Sequence, residues 1–88
     1  MRVCVFAVMC DDADNVAAWA ETTGDADTRF VLDTGSTDAT LSELFLHGIH
    51  TLSAPPADVY VRLDAHERLR DGWRAQLADA YERLRATP

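Results

Sequence analysis

Lysine is missing from this chain: its 88 residues carry eight basic side chains, every one an arginine, against fifteen acids, for a formal net charge of -7. So acidic a surface has no electrostatic footprint for a phosphate backbone, and nucleic acid is not an expected partner. A nucleotide remains acceptable, provided a divalent cation offsets its phosphates. Long apolar runs are missing too. The stretch from Val3 to Met9 is too short to cross a membrane and lacks the small-residue cleavage site of a signal peptide, so no membrane span and a cytoplasmic location are expected. Cysteine occurs twice. Cys4 and Cys10 lie on one extended stretch, roughly 20 Å apart at about 3.3 Å per residue, beyond disulfide reach, so both are expected as free thiols. No Cys/His spacing matches a structural zinc site.

What is present suffices for one domain, residues 1–88, with a small core. Val3 to Val8 is continuously apolar, the pattern of a central parallel strand buried on both faces. After Cys10, Asp11 and Asp12 the apolar spacing becomes helical through Ala13, Val16, Ala17 and Ala20. Either aspartate is placed to cap that helix, and Trp19 is expected at the rim of its apolar face. Gly24, Asp25 and Asp27 interrupt the pattern before a second strand begins at Arg29. A second helix carries Leu41, Leu44 and Phe45 and ends near Gly48, and Ile49 to Leu52 is a candidate short third strand. Beyond Pro55 and Pro56, Val59, Val61 and Leu63 alternate with Tyr60 and Arg62 as in a half-wet strand. A last helix from Asp71 sets Trp73, Leu77, Ala80 and Leu84 along one side, with Arg74, Asp79 and Arg83 expected on a solvated face. His47 and His50 read as surface residues. The fold expected is therefore α/β: a small, mostly parallel sheet of three to four strands with flanking helices and right-handed crossovers.

The chain is organised around Phe30 to Thr40, reading FVLDTGSTDAT. An apolar strand stops at Asp33, and a glycine-containing polar turn leads into a helix. Thr40 with Glu43 matches a capping box, and Ser36, Thr37 or Asp38 could equally cap. As a bare pattern this is an ordinary strand-to-helix turn rich in capping residues. It also resembles the second strand of the family 2 glycosyltransferases, which commonly ends Val-Asp-Thr-Gly-Ser-Thr-Asp-Gly-Thr; only Leu32 and Ala39 depart. The Leu-Asp-Thr-Gly part is similar, too, to retroviral-type aspartic proteases. Those act as dimers sharing a proton between two aspartates, and the helical pattern of residues 71 to 86 counts against their all-β chain.

A second motif, VRLDAHERLRDGW, resembles the metal-binding segment of the same glycosyltransferases, where Leu-Asp-Ala-Asp-Glu is common. Side chains two apart on an extended segment point the same way, so Asp64 and His66 could grip one ion. The resemblance implies a Rossmann-like nucleotide-binding half in strand order 3-2-1-4, binding a nucleoside-diphosphate sugar at the carboxyl ends of its strands. Nucleotide contacts would fall to Asp11, Asp12, Asp33, Gly35, Ser36 and Asp64. Asp64 and His66 would hold the metal, with Mn²⁺ suited better than Mg²⁺ by the imidazole. Glu67 is the one candidate base near that motif. His66 stands where the family places an aspartate, and Cys10-Asp11-Asp12 replaces its Lys-Asn-Glu.

The family also has a helix-bearing segment between its third and fourth strands, where this chain has only Ser53 to Ala57. A parallel crossover normally needs ten or more residues, so the connection is expected to be atypical. Either residues 49 to 52 form no proper strand, or the fourth strand sits elsewhere or runs antiparallel. The acceptor-binding half has no counterpart in these residues, so a second chain supplying it, or a non-catalytic binding module, are the further expectations.

Overall fold

The computed structural model describes residues 1–86. Three strands and three helices alternate: β1 (Val3–Met9), α1 (Ala13–Thr22), β2 (Thr28–Asp33), α2 (Thr40–Leu46), β3 (Val59–Arg62) and α3 (Trp73–Ala86). The sheet is open and parallel throughout, in order β2-β1-β3, with Cys4 opposite both Thr28 and Tyr60. The α/β expectation holds, as does the central place of the most apolar strand.

Residues 49–52 do not form the third strand. Residue 50 makes a single parallel bridge to Phe30 on the outer edge of β2, through Val31 N to His50 O at 2.9 Å and His50 N to Arg29 O at 3.0 Å. The short connection explains this. From beyond β2 the chain must pass under two strands and regain an amino-terminal edge, a diagonal that a longer third strand would lengthen by about 3.3 Å per residue. Stopping after one bridge leaves residues 51–58 enough length to start β3 parallel to β1. The sheet therefore has three strands, with residue 50 a lone bridge outside β2.

All three helices lie on one side. Val3, Val5, Ala7 and Met9 of β1 form one core with Val16, Trp19 and Ala20 of α1, Val31 of β2 and Leu44 of α2. Trp73 and Leu77 of α3 pack against the same cluster. Each such aliphatic side chain contributes about 1.5 to 3 kcal/mol when fully buried. The opposite face of β1, expected to be buried as well, is so only in part: Cys4 is fully buried and Phe6 half-buried, but Val8 at the carboxyl end is 46 % exposed, because no helix covers it.

Side chains fasten the helices down. Trp19, expected at a rim, is fully buried, and its indole N–H donates to Leu63 O at 2.8 Å, joining α1 to the end of β3. Arg29 donates to Ala20 O near the end of α1 (2.9 Å) and to His47 O after α2 (3.1 Å), placing its charge where both helix dipoles are negative. Arg74 is half-buried rather than on a solvated face; it pairs with Asp27 at 2.8 Å. The same Asp27 oxygen accepts Val3 N at 2.7 Å. That backbone bond first, and Arg74 second, hold Asp27 below its ordinary pKa. Cys4 and Cys10 are free thiols, one buried and one exposed. Among the described residues no helix is long and apolar enough to cross a membrane.

Candidate functional site

Because the strands are parallel, the segments after β1, β2 and β3 emerge along one carboxyl edge. Two of them are laced together by aspartates. Asp11 takes a left-handed backbone (φ 53°), which aspartate tolerates better than most residues. From there its Oδ1 accepts Thr37 N at 2.7 Å and Asp38 N at 3.3 Å, while Asp11 N donates to Ser36 Oγ at 2.8 Å. Asp38 returns the link, accepting Ala13 N at 3.3 Å and Thr40 N at 2.8 Å. Asp12 N donates to Thr40 Oγ1 at 2.9 Å.

This lacing corrects the expected caps. Asp12 sits at the N-cap of α1, but its carboxylate turns back to accept Cys10 N at 3.1 Å and makes no cap bond. The first amide of α1 is taken instead by Asp38, from the neighbouring loop. Thr40 is the first residue of α2 and is buried; Ala39 is the N-cap, and Asp38 accepts the first amide of this helix as well. One carboxylate therefore serves two helix starts.

Asp33 closes its own turn. Its Oδ2 accepts Gly35 N at 3.3 Å and Ser36 N at 3.1 Å, and its Oδ1 accepts the Ser36 hydroxyl. Gly35, at φ 106°, takes the positive angle that this turn needs. The Ser36 hydroxyl is the main cause that holds Asp33 below its ordinary pKa, against an opposing effect of burial. Asp38 is likewise held low, chiefly by the Thr40 hydroxyl.

The segment after β3 stands apart. Leu63 and Ala65 are buried, which turns Asp64 and His66 outward. Asp64 meets Arg62 Nε at 3.3 Å. The segment is not extended through His66, as the metal-ligand expectation assumed. It turns at Asp64 to Glu67, with Glu67 N donating to Asp64 O at 3.0 Å and Asp64 N to Glu67 Oε1 at 3.0 Å. Apolar pull on Leu63 and Ala65 and the reciprocal Asp64–Glu67 bonds favour that bend over an extended run.

Asp11, Asp12, Asp33, Gly35 and Ser36 are thus brought together, while Asp64, His66 and Glu67 share the carboxyl edge without a hydrogen bond to them among the described residues. No group of three or more His, Cys, Asp or Glu side chains is gathered to hold a metal ion among the described residues. Asp38, Thr37 and Thr40, which complete the lacing, were seen in the sequence only as capping candidates. The Asp38/Thr40 spacing was the available signal. A cleft of about 590 Å³ lies elsewhere, between α1 and residues 68–73, and Glu21, Asp25, Arg68, Arg70 and Asp71 are among the residues that line it.

No protein-family model, curated protein or solved structure matches this chain. The class that fold and loops define is a small parallel α/β domain with its acidic loops on one carboxyl edge.

Proposed function

We propose that the chain is a glycosyltransferase-like domain that binds a nucleoside-diphosphate sugar on this edge, next to a divalent ion. One observation carries the reading: the sheet is parallel in order β2-β1-β3, so the segments after all three strands emerge together at its carboxyl edge, the end at which ligands of parallel α/β sheets bind. The two sequence motifs that resemble the glycosyltransferases fall on the same edge.

The roles differ from those the resemblance implies. Asp33 spends three acceptor sites on its own turn, so it positions the loop, and the base and ribose meet the outer surface of Gly35, Ser36 and Thr37. Asp11 and Asp12 hold the first loop against the second. Asp64 and His66, both turned outward, would be the two side chains to offer donors to a bound ion, Mn²⁺ rather than Mg²⁺. Arg62, now on Asp64, would be released toward the phosphates. When bound, the ion would stabilise negative charge on a departing diphosphate. Glu67 keeps one oxygen off the Asp64 amide and is the candidate base for transfer to an acceptor.

Thermal melting tests this. Uridine diphosphate with Mn²⁺, at a hundred times its dissociation constant, should add about 2.7 kcal/mol and raise the melting temperature by roughly 10 °C or more. The rise should shrink sharply in Asp64→Ala and in His66→Ala. Unchanged melting with every nucleoside diphosphate tried would sink the reading. A second reading, a binding module without catalysis, is favoured by the bare face of the sheet. The protease reading finds no support in a parallel sheet with three helices.

A further inference from the structure

The last helix is held less firmly than the other two. α1 buries Val16, Trp19 and Ala20 and α2 buries Thr40 and Leu44, whereas α3 buries none of its residues. Trp73 and Leu77 rest half-buried on the core; further along the same stripe Ala80 is exposed and Leu84 is 74 % exposed. The polar fastening is mixed. From the first turn Arg74 reaches back to Asp27 Oδ2 at 2.8 Å and to Met1 O at 3.3 Å, a charge-assisted latch. Its other terminal nitrogen, Nη1, is buried without a hydrogen-bond partner, and that desolvation offsets part of what the latch contributes.

The chain in front of α3 can bend at one place. Up to Leu69 it is pinned to α1, since Leu69 N donates to Thr22 Oγ1 at 2.8 Å. The tight turn that follows is closed by Trp73 N on Arg70 O at 3.2 Å and has Gly72 at φ 80°, an angle glycine adopts without strain. A Cβ at Gly72 would meet nothing within 4 Å, so the glycine serves the angle and not the space.

An isolated helix of fourteen residues is marginal in water, so α3 is either docked and wound or detached and largely unwound. We propose that α3 is a releasable strap, opening as a unit about residues 70–72 while the sheet, α1 and α2 stay folded. Gly72 and Trp73 line the cleft beside α1, so each opening removes one wall of that cleft and bares the core under Trp73 and Leu77. The proposal is independent of nucleotide binding.

Native-state hydrogen exchange of the whole chain, followed segment by segment in rising but sub-denaturing urea, tests it. After correction for sequence, the amides of residues 77–84 should exchange at least about tenfold faster than those of Val5 and Ala7. Their urea dependence should be shallower, because opening exposes less surface than unfolding. Arg74→Gln removes the charge from the latch and should speed exchange in α3 about tenfold while β1 is unchanged. Gly72→Ala strains only the closed turn and should speed α3 about threefold, again without effect on β1. If α3 and β1 exchange together with one urea slope, or if either variant speeds both segments equally, α3 belongs to a single cooperative unit and the proposal is overturned. Exchange in α3 that neither variant alters would overturn it too, since latch and hinge would then have no part in the opening.

Discussion

At the scale of single residues, the carboxylates of this domain work as fasteners. Asp27, Asp33 and Asp38 each accept backbone amides, and each is held below the ordinary 3.8. A depressed carboxylate binds its proton more readily in the unfolded chain, so acid favours unfolding. Their contribution is complete above about pH 4 and is lost as the pH falls through the lowered folded values. Melting temperatures recorded from pH 6 to pH 2 should therefore drop most steeply below pH 4, and the drop should be shallower in Asp33→Asn. A profile equally steep in that variant would remove Asp33 from the account. The sequence displayed these acids but not their partners: Asp11 binds amides 26 and 27 residues away, and no local spacing encodes that. Read locally, Asp11 and Asp12 were caps; a contact across the fold takes up Asp11, while the carboxylates of Asp12 and Asp33 bind backbone amides two or three residues away.

At the scale of elements, period alone was enough to find β1, β2, α1, α2, β3 and α3, since each keeps an apolar stripe with its own spacing. What period could not tell was which face would be covered. Val8 in an unbroken apolar run looked interior, and the connection that leaves it bare is visible only once the topology is known. Trp19 was misjudged for a related reason, because its partner is a carbonyl at the end of a strand 44 positions on. Replacing it by phenylalanine leaves Leu63 O without a donor in a buried place, a loss of about 1 to 3 kcal/mol before any cavity is counted. Urea melts of Trp19→Phe should give at least that loss with an unchanged slope. Since Leu63 directly precedes Asp64, any nucleotide-induced stabilisation should weaken as well.

At the scale of the whole molecule, a core confined to one side of a three-stranded sheet gives a thin body, 48 × 25 × 17 Å, with one open edge and one open face. A nucleotide sugar at that edge would meet water instead of an oriented acceptor. Orientation is worth roughly 7 to 11 kcal/mol of barrier and a placed base a factor of about 10² to 10⁴. These 88 residues alone should therefore release diphosphate slowly from nucleotide sugars with Mn²⁺, without dependence on added sugar, lipid or peptide acceptors. Rapid acceptor-dependent turnover would contradict this and make Glu67 the first side chain to replace.

The central strand is also the earliest in sequence, and this fixes an order of events during synthesis. β1 leaves the ribosome as the most apolar segment, yet β3, its second neighbour, follows about fifty residues later. At about 5 to 20 residues per second, β1 waits several seconds with one edge unpaired. In that interval α1 and β2, followed by α2, come within reach, so the β1-α1-β2 unit should form first and shelter the apolar strand. A ribosome-stalled chain in which Leu52 has just cleared the exit tunnel ought already to protect the amides of Val5 and Ala7 from exchange, whereas one in which only residues up to Gly24 have cleared it ought to be held by chaperones.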